Sequence, residues 1–153
     1  MAEQAENDII EFTHVRFGDQ TVARDKVLEF VDGIPGFESF TNYALFDDPD
    51  SEPFQWLLSI ENPQLGFVVV NPQYIWPTYD PKISRDDLQT LEVSKTEDIL
   101  LFSIVTLAND PTQVTANLSG PLVVNSANRK ARQLALLDDR YATKHRILDA
   151  LQA

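Results

Sequence analysis

The sequence predicts a mainly β protein built as an antiparallel barrel or sandwich. Three observations carry this. Short apolar runs recur along the chain, each bounded by Gly, Pro, Asn or Asp. Only one stretch, Ser84-Arg85-Asp86-Asp87-Leu88, opens like a helix. The 153 residues suit one domain and can bury a core without staples, and there is no cysteine to supply any. Residues 1–8 are polar and read as a flexible N-terminus, leaving 9–153 as the single domain.

The elements follow in order. Ile10, Phe12, Val15 and Phe17 alternate as in a strand, and Val27 to Val31 is a second run, with Gly18-Asp19 as the turn signal between them. Gly33-Ile34-Pro35-Gly36-Phe37-Glu38 is a turn that carries unusual apolar bulk, and Tyr43 to Phe46 follows it. Asp47 to Pro53 is an acidic, proline-bounded loop. Phe54–Ile60 and Phe67–Val70 form a hairpin across Asn62-Pro63 and Gly66. Tyr74 to Tyr79 is aromatic-rich and reads as an edge strand, since Pro77 argues against a central one. Ser84 can accept from backbone N–H groups, and Asp86 and Asp87 suit the positive end of a short helix that stops near Leu91. Ile99–Leu107, Val114–Leu118 and Leu122–Val124 are further strands. Ala131 to Leu137 fits either a helix by propensity or a strand with Leu134 and Leu136 inward.

Charge is unevenly spread. Residues 1–128 hold 21 Asp/Glu and 6 Lys/Arg, a net of −15, whereas residues 129–153 hold 6 Lys/Arg and 3 Asp/Glu, a net of +3. An acidic body repels phosphate backbones and attracts basic partners, so direct nucleic-acid binding by the body is disfavoured. The basic residues Arg129, Lys130, Arg132, Arg140, Lys144 and Arg146 could contact nucleic acid, but balancing the acidic body is the preferred reading. The N-terminus lacks the form of a signal peptide, and no apolar run is long enough to span a bilayer as a helix, which fits a cytoplasmic protein without a membrane partner.

The search for chemistry finds little. His14 and His145 lie at opposite ends of the chain in no ligand motif, so neither a metal nor a cofactor is expected. Asp47, Asp48, Asp50 and Glu52 cluster, but without the spacing and glycine of a calcium-binding loop, and a solvated acidic loop is the better reading. No phosphate-binding glycine loop and no Gly-x-Ser-x-Gly elbow is present. An enzyme is therefore not expected, and the alternative kept open is a small-ligand-binding β-barrel enzyme using a carboxylate pair.

Several motifs then align in one series. Ile34-Pro35-Gly36-Phe37-Glu38 is followed by Pro53-Phe54, Trp56-Leu57-Leu58-Ser59, Phe67-Val68-Val69 and Asn71-Pro72. The last block runs Thr115-Ala116-Asn117-Leu118-Ser119-Gly120-Pro121-Leu122-Val123-Val124-Asn125 and continues to Asn128-Arg129-Lys130, Gln133 and Tyr141. This series closely resembles the FliW flagellar assembly factors, from about Ile9 to Ile147. The departures are small: Gly120 stands where the family more often has Ala, and Arg146 where it often has Pro.

The resemblance implies a small antiparallel β-barrel-like single domain with one short helix near residues 84–91. It also implies a strand at 131–137 after a turn at 125–128. It implies a flagellar assembly factor that binds and antagonises the translational repressor CsrA and that also binds flagellin, coupling flagellin level to flagellin translation. Partner-binding residues are then expected at Ile34, Pro35, Gly36, Phe37 and Glu38, at Asp47, Asp48, Asp50 and Glu52, and at Asn117. Whether Phe37 faces the core or a partner is left open by the sequence. Asn125 reads as structural, bonding backbone groups at a barrel end.

Overall fold

The computed structural model describes residues 9–147. The predicted flexible segment 1–8 lies outside them. The strands are β1 (Ile9–His14), β2 (Gly18–Ala23), β3 (Val27–Phe30), β4 (Asn42–Phe46), β5 (Gln55–Ser59), β6 (Gly66–Val70), β7 (Ile99–Thr106), β8 (Thr115–Ala116), β9 (Leu122–Asn125), β10 (Lys130–Gln133) and β11 (His145–Arg146). Two short helices, α1 (Pro72–Ile75) and α2 (Arg85–Thr90), lie between β6 and β7.

Seven strands close a barrel in the order β7-β6-β5-β4-β3-β10-β9, and β9 returns to β7. Closure is possible because β7 is long. Its first half, Ile99 to Phe102, pairs with β9, while Val105 and Thr106 pair with β8. Every barrel pairing is antiparallel except β3 with β10, which is parallel. That junction joins elements distant in sequence, where no hairpin turn forces opposite directions.

Both faces of the wall are buried, which explains runs such as Phe67-Val68-Val69-Val70. Tyr43, Leu57, Val69, Phe102, Leu122 and Val124 point into the barrel with Leu28, Phe30 and Ile34. The alternate residues point out and are covered. Phe12 of the β1–β2 hairpin lies on Ala44 and Leu58. Ile75 of α1 lies with Val68, Val70 and Val105. Leu91, just past α2, packs on Val123. A barrel of this size is filled by its own side chains.

Three expectations are corrected. The turn between the first strands is at residues 15–17, and Gly18 begins β2 with φ +71°. Strand β2 was not expected because Gly18, Asp19, Thr21 and Ala23 are exposed, and only Val22 packs on the outer barrel wall. Tyr74–Tyr79 is not an edge strand. Asn71 Oδ1 accepts from Gln73 N at 2.9 Å and Pro72 opens α1, so Asn-Pro starts a helical turn here rather than merely ending a strand. Tyr79 is then buried, donating its hydroxyl to Leu118 O at 2.6 Å. Val114–Leu118 shrinks to the two residues of β8.

The predicted helix near 84–91 is α2, with Ser84 Oγ accepting from Asp87 N at 3.1 Å. A strand follows the turn at 125–128, as the resemblance implied, but β10 covers only Lys130–Gln133 and not the whole of 131–137; beyond it Leu134 N and Leu136 N still donate to Pro121 O and Ser119 O.

The barrel interior holds one unpaired phenol. Tyr43 is fully buried, its hydroxyl lacks a hydrogen-bond partner among the described residues, and burial, then Glu61, pushes its pKa up to about 12. A free tyrosine ionises near pH 10, so above that pH the unfolded chain gives up a proton that the folded chain keeps, and stability falls as pH rises. Tyr43→Phe is expected to hold or raise stability at pH 7. At pH 11 it should spare about 1.4 kcal/mol that the wild type loses there. Urea melts of both proteins at the two pH values measure this. Tyr79 shifts the same way and is common to both, so the difference isolates Tyr43.

Candidate functional site

The loop from β3 to β4 is built from backbone outward. Gly33 has φ +69° and Gly36 φ +90°, the left-handed region that glycine alone enters freely. Gly33 N donates to Phe30 O at 2.9 Å, Phe37 N to Ile34 O at 2.7 Å, and Phe40 N to Phe37 O at 3.1 Å. Glu38 folds back so that its carboxylate accepts from Gly36 N at 3.0 and 3.1 Å, and that bond holds the carboxyl below its usual pKa. At the base, Glu61 Oε1 accepts from both Thr41 N and Asn42 N at 2.9 Å. These bonds immobilise the loop with few side chains.

The two bulky residues take opposite directions. Ile34 is 2% exposed and joins the barrel core. Phe37 is 40% exposed and rests edge-to-face on Phe67, with ring centroids 5.5 Å apart. Ile34 is thus a plug at the barrel mouth and Phe37 a ring held up on the rim. Pro35, Gly36 and Glu38 are exposed beside it. Glu61 was not singled out in the sequence, and Phe67 was read only as a strand and motif residue, not as a support for this loop. No local motif marks a residue that acts across a strand pair.

The acidic loop is elsewhere. Strand β4 starts at the apolar loop and ends at Phe46, just before Asp47, so the two loops lie at opposite ends of five strand residues, roughly 15 Å apart. Asp48 Oδ1 accepts from Asp50 N at 3.2 Å and its Oδ2 from Ser51 Oγ at 2.8 Å, capping a one-turn 3-10 helix at Pro49–Ser51. Asp47 Oδ1 accepts from Gln55 Nε2 at 2.6 Å. Asp47, Asp48 and Glu52 flank a shallow groove of about 470 Å³ with Phe54 and the half-exposed Tyr74. Asp50 is exposed on the turn. Among the described residues no group of three or more His, Asp or Glu is placed to hold a metal ion.

Asn117 belongs to neither loop. It is half-buried, and its Oδ1 accepts from Gly120 N at 2.7 Å, closing the turn into β9. Asn125 is structural, with its amide spanning the backbone of Leu91, Glu92 and Ala127. Basic residues of the C-terminal segment pair with acids. Lys130 pairs with Glu92, Arg132 with Asp32 at 2.8 Å and Asp87 at 3.0 Å, and Arg140 with Asp138 at 2.6 Å. The Arg140 guanidinium brings the Asp138 carboxyl down to about 2. Of the sequence-expected site residues, Ile34 is core rather than surface, and the others lie on two separate loops and at the turn braced by Asn117.

Comparison with known proteins places this architecture. The profile of the FliW protein family matches residues 11–147. A flagellar assembly factor FliW of Alkaliphilus metalliredigens is 39% identical over 137 residues, covering 89% of this chain and 85% of that protein. One from Treponema denticola is 40% identical over 129 residues, covering 84% and 87%. A crystal structure of the flagellar assembly factor FliW superposes with a TM-score of 0.81 at 33% identity, covering 90% of this chain and 96% of that one. No helix among the described residues is long and apolar enough to cross a membrane. With the barrel, its loops and its sequence matched over nearly the full described length, the chain belongs to the FliW family.

Proposed function

We propose that this protein is a cytoplasmic flagellar assembly factor that acts by binding rather than catalysis. It holds the RNA-binding repressor CsrA while flagellin is scarce and is taken up by flagellin when flagellin accumulates. The observation that carries this reading is the match along the whole barrel to proteins named flagellar assembly factor. The architecture supports it. The barrel interior is filled by its own side chains, so surface carries the function, and one rim presents a rigid aromatic. An RNA-binding protein presents a basic surface, which the acidic body attracts.

The test is copurification with CsrA and with flagellin, followed by competition between them. Flagellin should displace CsrA. Stable binding to neither protein would refute the reading. Phe37→Ala should weaken one of the two complexes by about 2 kcal/mol, the scale of an aromatic hot spot, which is roughly thirtyfold in Kd. It should leave melting cooperative, because the ring is two-fifths exposed. Equal affinities for both partners would remove Phe37 from the interface.

The acidic loop predicts a rate effect. Asp47→Asn, Asp48→Asn, Asp50→Asn and Glu52→Gln together keep the acceptor oxygen that caps the turn while removing four charges. Association with CsrA should slow and lose part of its salt dependence. Stopped-flow traces at two ionic strengths measure this, and an unchanged salt slope would leave the cluster without a role in encounter.

A further inference from the structure

The β1–β2 hairpin lies on the barrel as a separate two-stranded sheet and shares no ladder with the barrel strands. It reaches β3 through residues 24–26. Phe12 packs on Ala44 and Leu58. Phe17 packs on Phe46 and Trp56, with ring centroids 4.8 and 5.3 Å away. Val15 N donates to Pro63 O at 2.8 Å, tying the hairpin turn to the loop between β5 and β6. An element held mainly by side chains can open while the sheet beneath it stays folded.

His14 sits within that contact. It ends β1, is 5% exposed, and lies beside Phe17 with ring centroids 5.9 Å apart. Its Nδ1 accepts from Arg16 N at 3.1 Å, so the neutral ring carries its hydrogen on Nε2. Nε2 is buried without a hydrogen-bond partner among the described residues. It lies over Gly66, the first residue of β6, where a Cβ would stand 3.2 Å from it. A proton on Nδ1 would confront the Arg16 N–H that already points there. The charged ring finds no acceptor in this seat.

The neighbours do not help it. Arg16 is the ion that acts on the ring, with its guanidinium 4.8 Å from the Trp56 ring centroid and 5.7 Å from that of Phe17. On the barrel side stand Gly66 and the Leu58 side chain that crowds it, and neither titrates. Glu11 and Thr13 alternate with His14 onto the solvent face of the hairpin, where Asp19 accepts from Thr13 Oγ1 at 2.6 Å. Glu61, in the loop after β5, accepts from Thr41 N and Asn42 N. Burial, then Arg16, holds the imidazole below its ordinary pKa of 6.5.

We infer that the hairpin is an acid-responsive strap latched by neutral His14: when the ring takes a proton, the hairpin lifts and bares the apolar wall of Ala44, Phe46, Trp56 and Leu58. The protein thereby hides this surface at neutral pH and shows it in acid. An exposed imidazole binds a proton below about pH 6.5 and the seated ring resists one, so acid favours the lifted state. Between pH 7.5 and pH 5 that single group can raise the ratio of lifted to closed hairpin by up to about thirtyfold.

The experiment is amide hydrogen exchange on the full chain, with protection taken relative to an unstructured peptide at the same pH. Hairpin amides, Val15 among them, should be less protected than those of β5 and β6 at both pH 7.5 and pH 5. Their protection should fall at least fivefold more in the wild type than in His14→Asn as pH drops. His14→Asn keeps an acceptor oxygen for Arg16 N but does not titrate. His14→Phe keeps a ring beside Phe17 and serves the same purpose if the asparagine variant does not fold. Equal protection of hairpin and barrel at pH 5 would show that the two open only together. A fall as large in either folded variant would assign the acid effect to other groups, and unchanged protection in the wild type would show that the ring does not latch the hairpin. Each of these results overturns the inference.

Discussion

Gly33→Ala is expected to destabilise the protein by about 3 kcal/mol or more, whereas Gly36→Ala, three residues away, should cost only about 1–2 kcal/mol. Both positions have positive φ, so both substitutions meet the left-handed penalty for an L residue. The surroundings separate them. A Cβ on Gly33 would lie 2.6 Å from the Cα of Glu38, whereas nothing lies within 4 Å of one on Gly36. Backbone cannot swing aside as a side-chain end can, so Gly33→Ala must open the loop at the point that seats Ile34 in the core. Part of that side chain's burial, worth about 1.5–3 kcal/mol when complete, is then lost. Urea melts of the two variants measure the gap. Equal losses would show that φ alone matters here and that the contact with Glu38 can relax. The partner assay reads the same gap differently: Gly36→Ala should disturb the Phe37 rim more than its stability cost suggests.

The loop also shows where sequence reading stops. Turn chemistry marked Gly33, Pro35 and Gly36 correctly, because φ preferences are local. The directions of Ile34 and Phe37 were not readable, because they depend on Phe67 two strands away and on the core cluster that holds Phe30 and Tyr43. The same division holds for the fold. Apolar runs located β3 to β7 and β9, since each is buried on at least one face. Strand β2 escaped because Gly18, Asp19, Thr21 and Ala23 face water, and α1 because one residue pair, Asn71-Pro72, both ends a strand and starts a helix. The parallel β3–β10 closure has no local signal at all; it is fixed only when the barrel shuts. For the site, spacing identified an apolar loop and an acidic loop but not their separation, which is set by the direction of β4. Asn117, expected at a partner surface from the resemblance, also braces the turn into β9, a contact that no local motif announces.

Asn125 carries the other large expected effect. It is 1% exposed at the end of β9, where the chain turns toward β10. Its Nδ2 donates to Leu91 O at 2.9 Å and Glu92 O at 3.2 Å, and its Oδ1 accepts from Ala127 N at 3.0 Å. One side chain thereby ties the turn after β9 to the end of α2, where Glu92 sits at φ +56°. Asn125→Ala leaves Glu92 O and Ala127 N without this partner, while Leu91 O keeps Asn128 Nδ2 at 3.0 Å. Glu92 and Ala127 are themselves exposed, so water recovers part of each bond, and the loss should be about 1–3 kcal/mol. Asn125→Asp has the same shape but the wrong polarity. Above the ordinary carboxyl pKa it aims a charge at two carbonyl oxygens and donates to neither, so at pH 7 it should be less stable than Asn125→Ala. Burial and those carbonyls raise its folded pKa, so stability is lost as pH rises through the unfolded value near 4 and regained below it. The protonated acid can donate one of the two missing bonds. Urea melts of both variants at pH 4 and pH 7 should therefore show the aspartate variant gaining on the alanine variant as pH falls. A constant difference between them would mean that the Leu91 and Glu92 carbonyls are reached by water and that the amide is not what holds the junction.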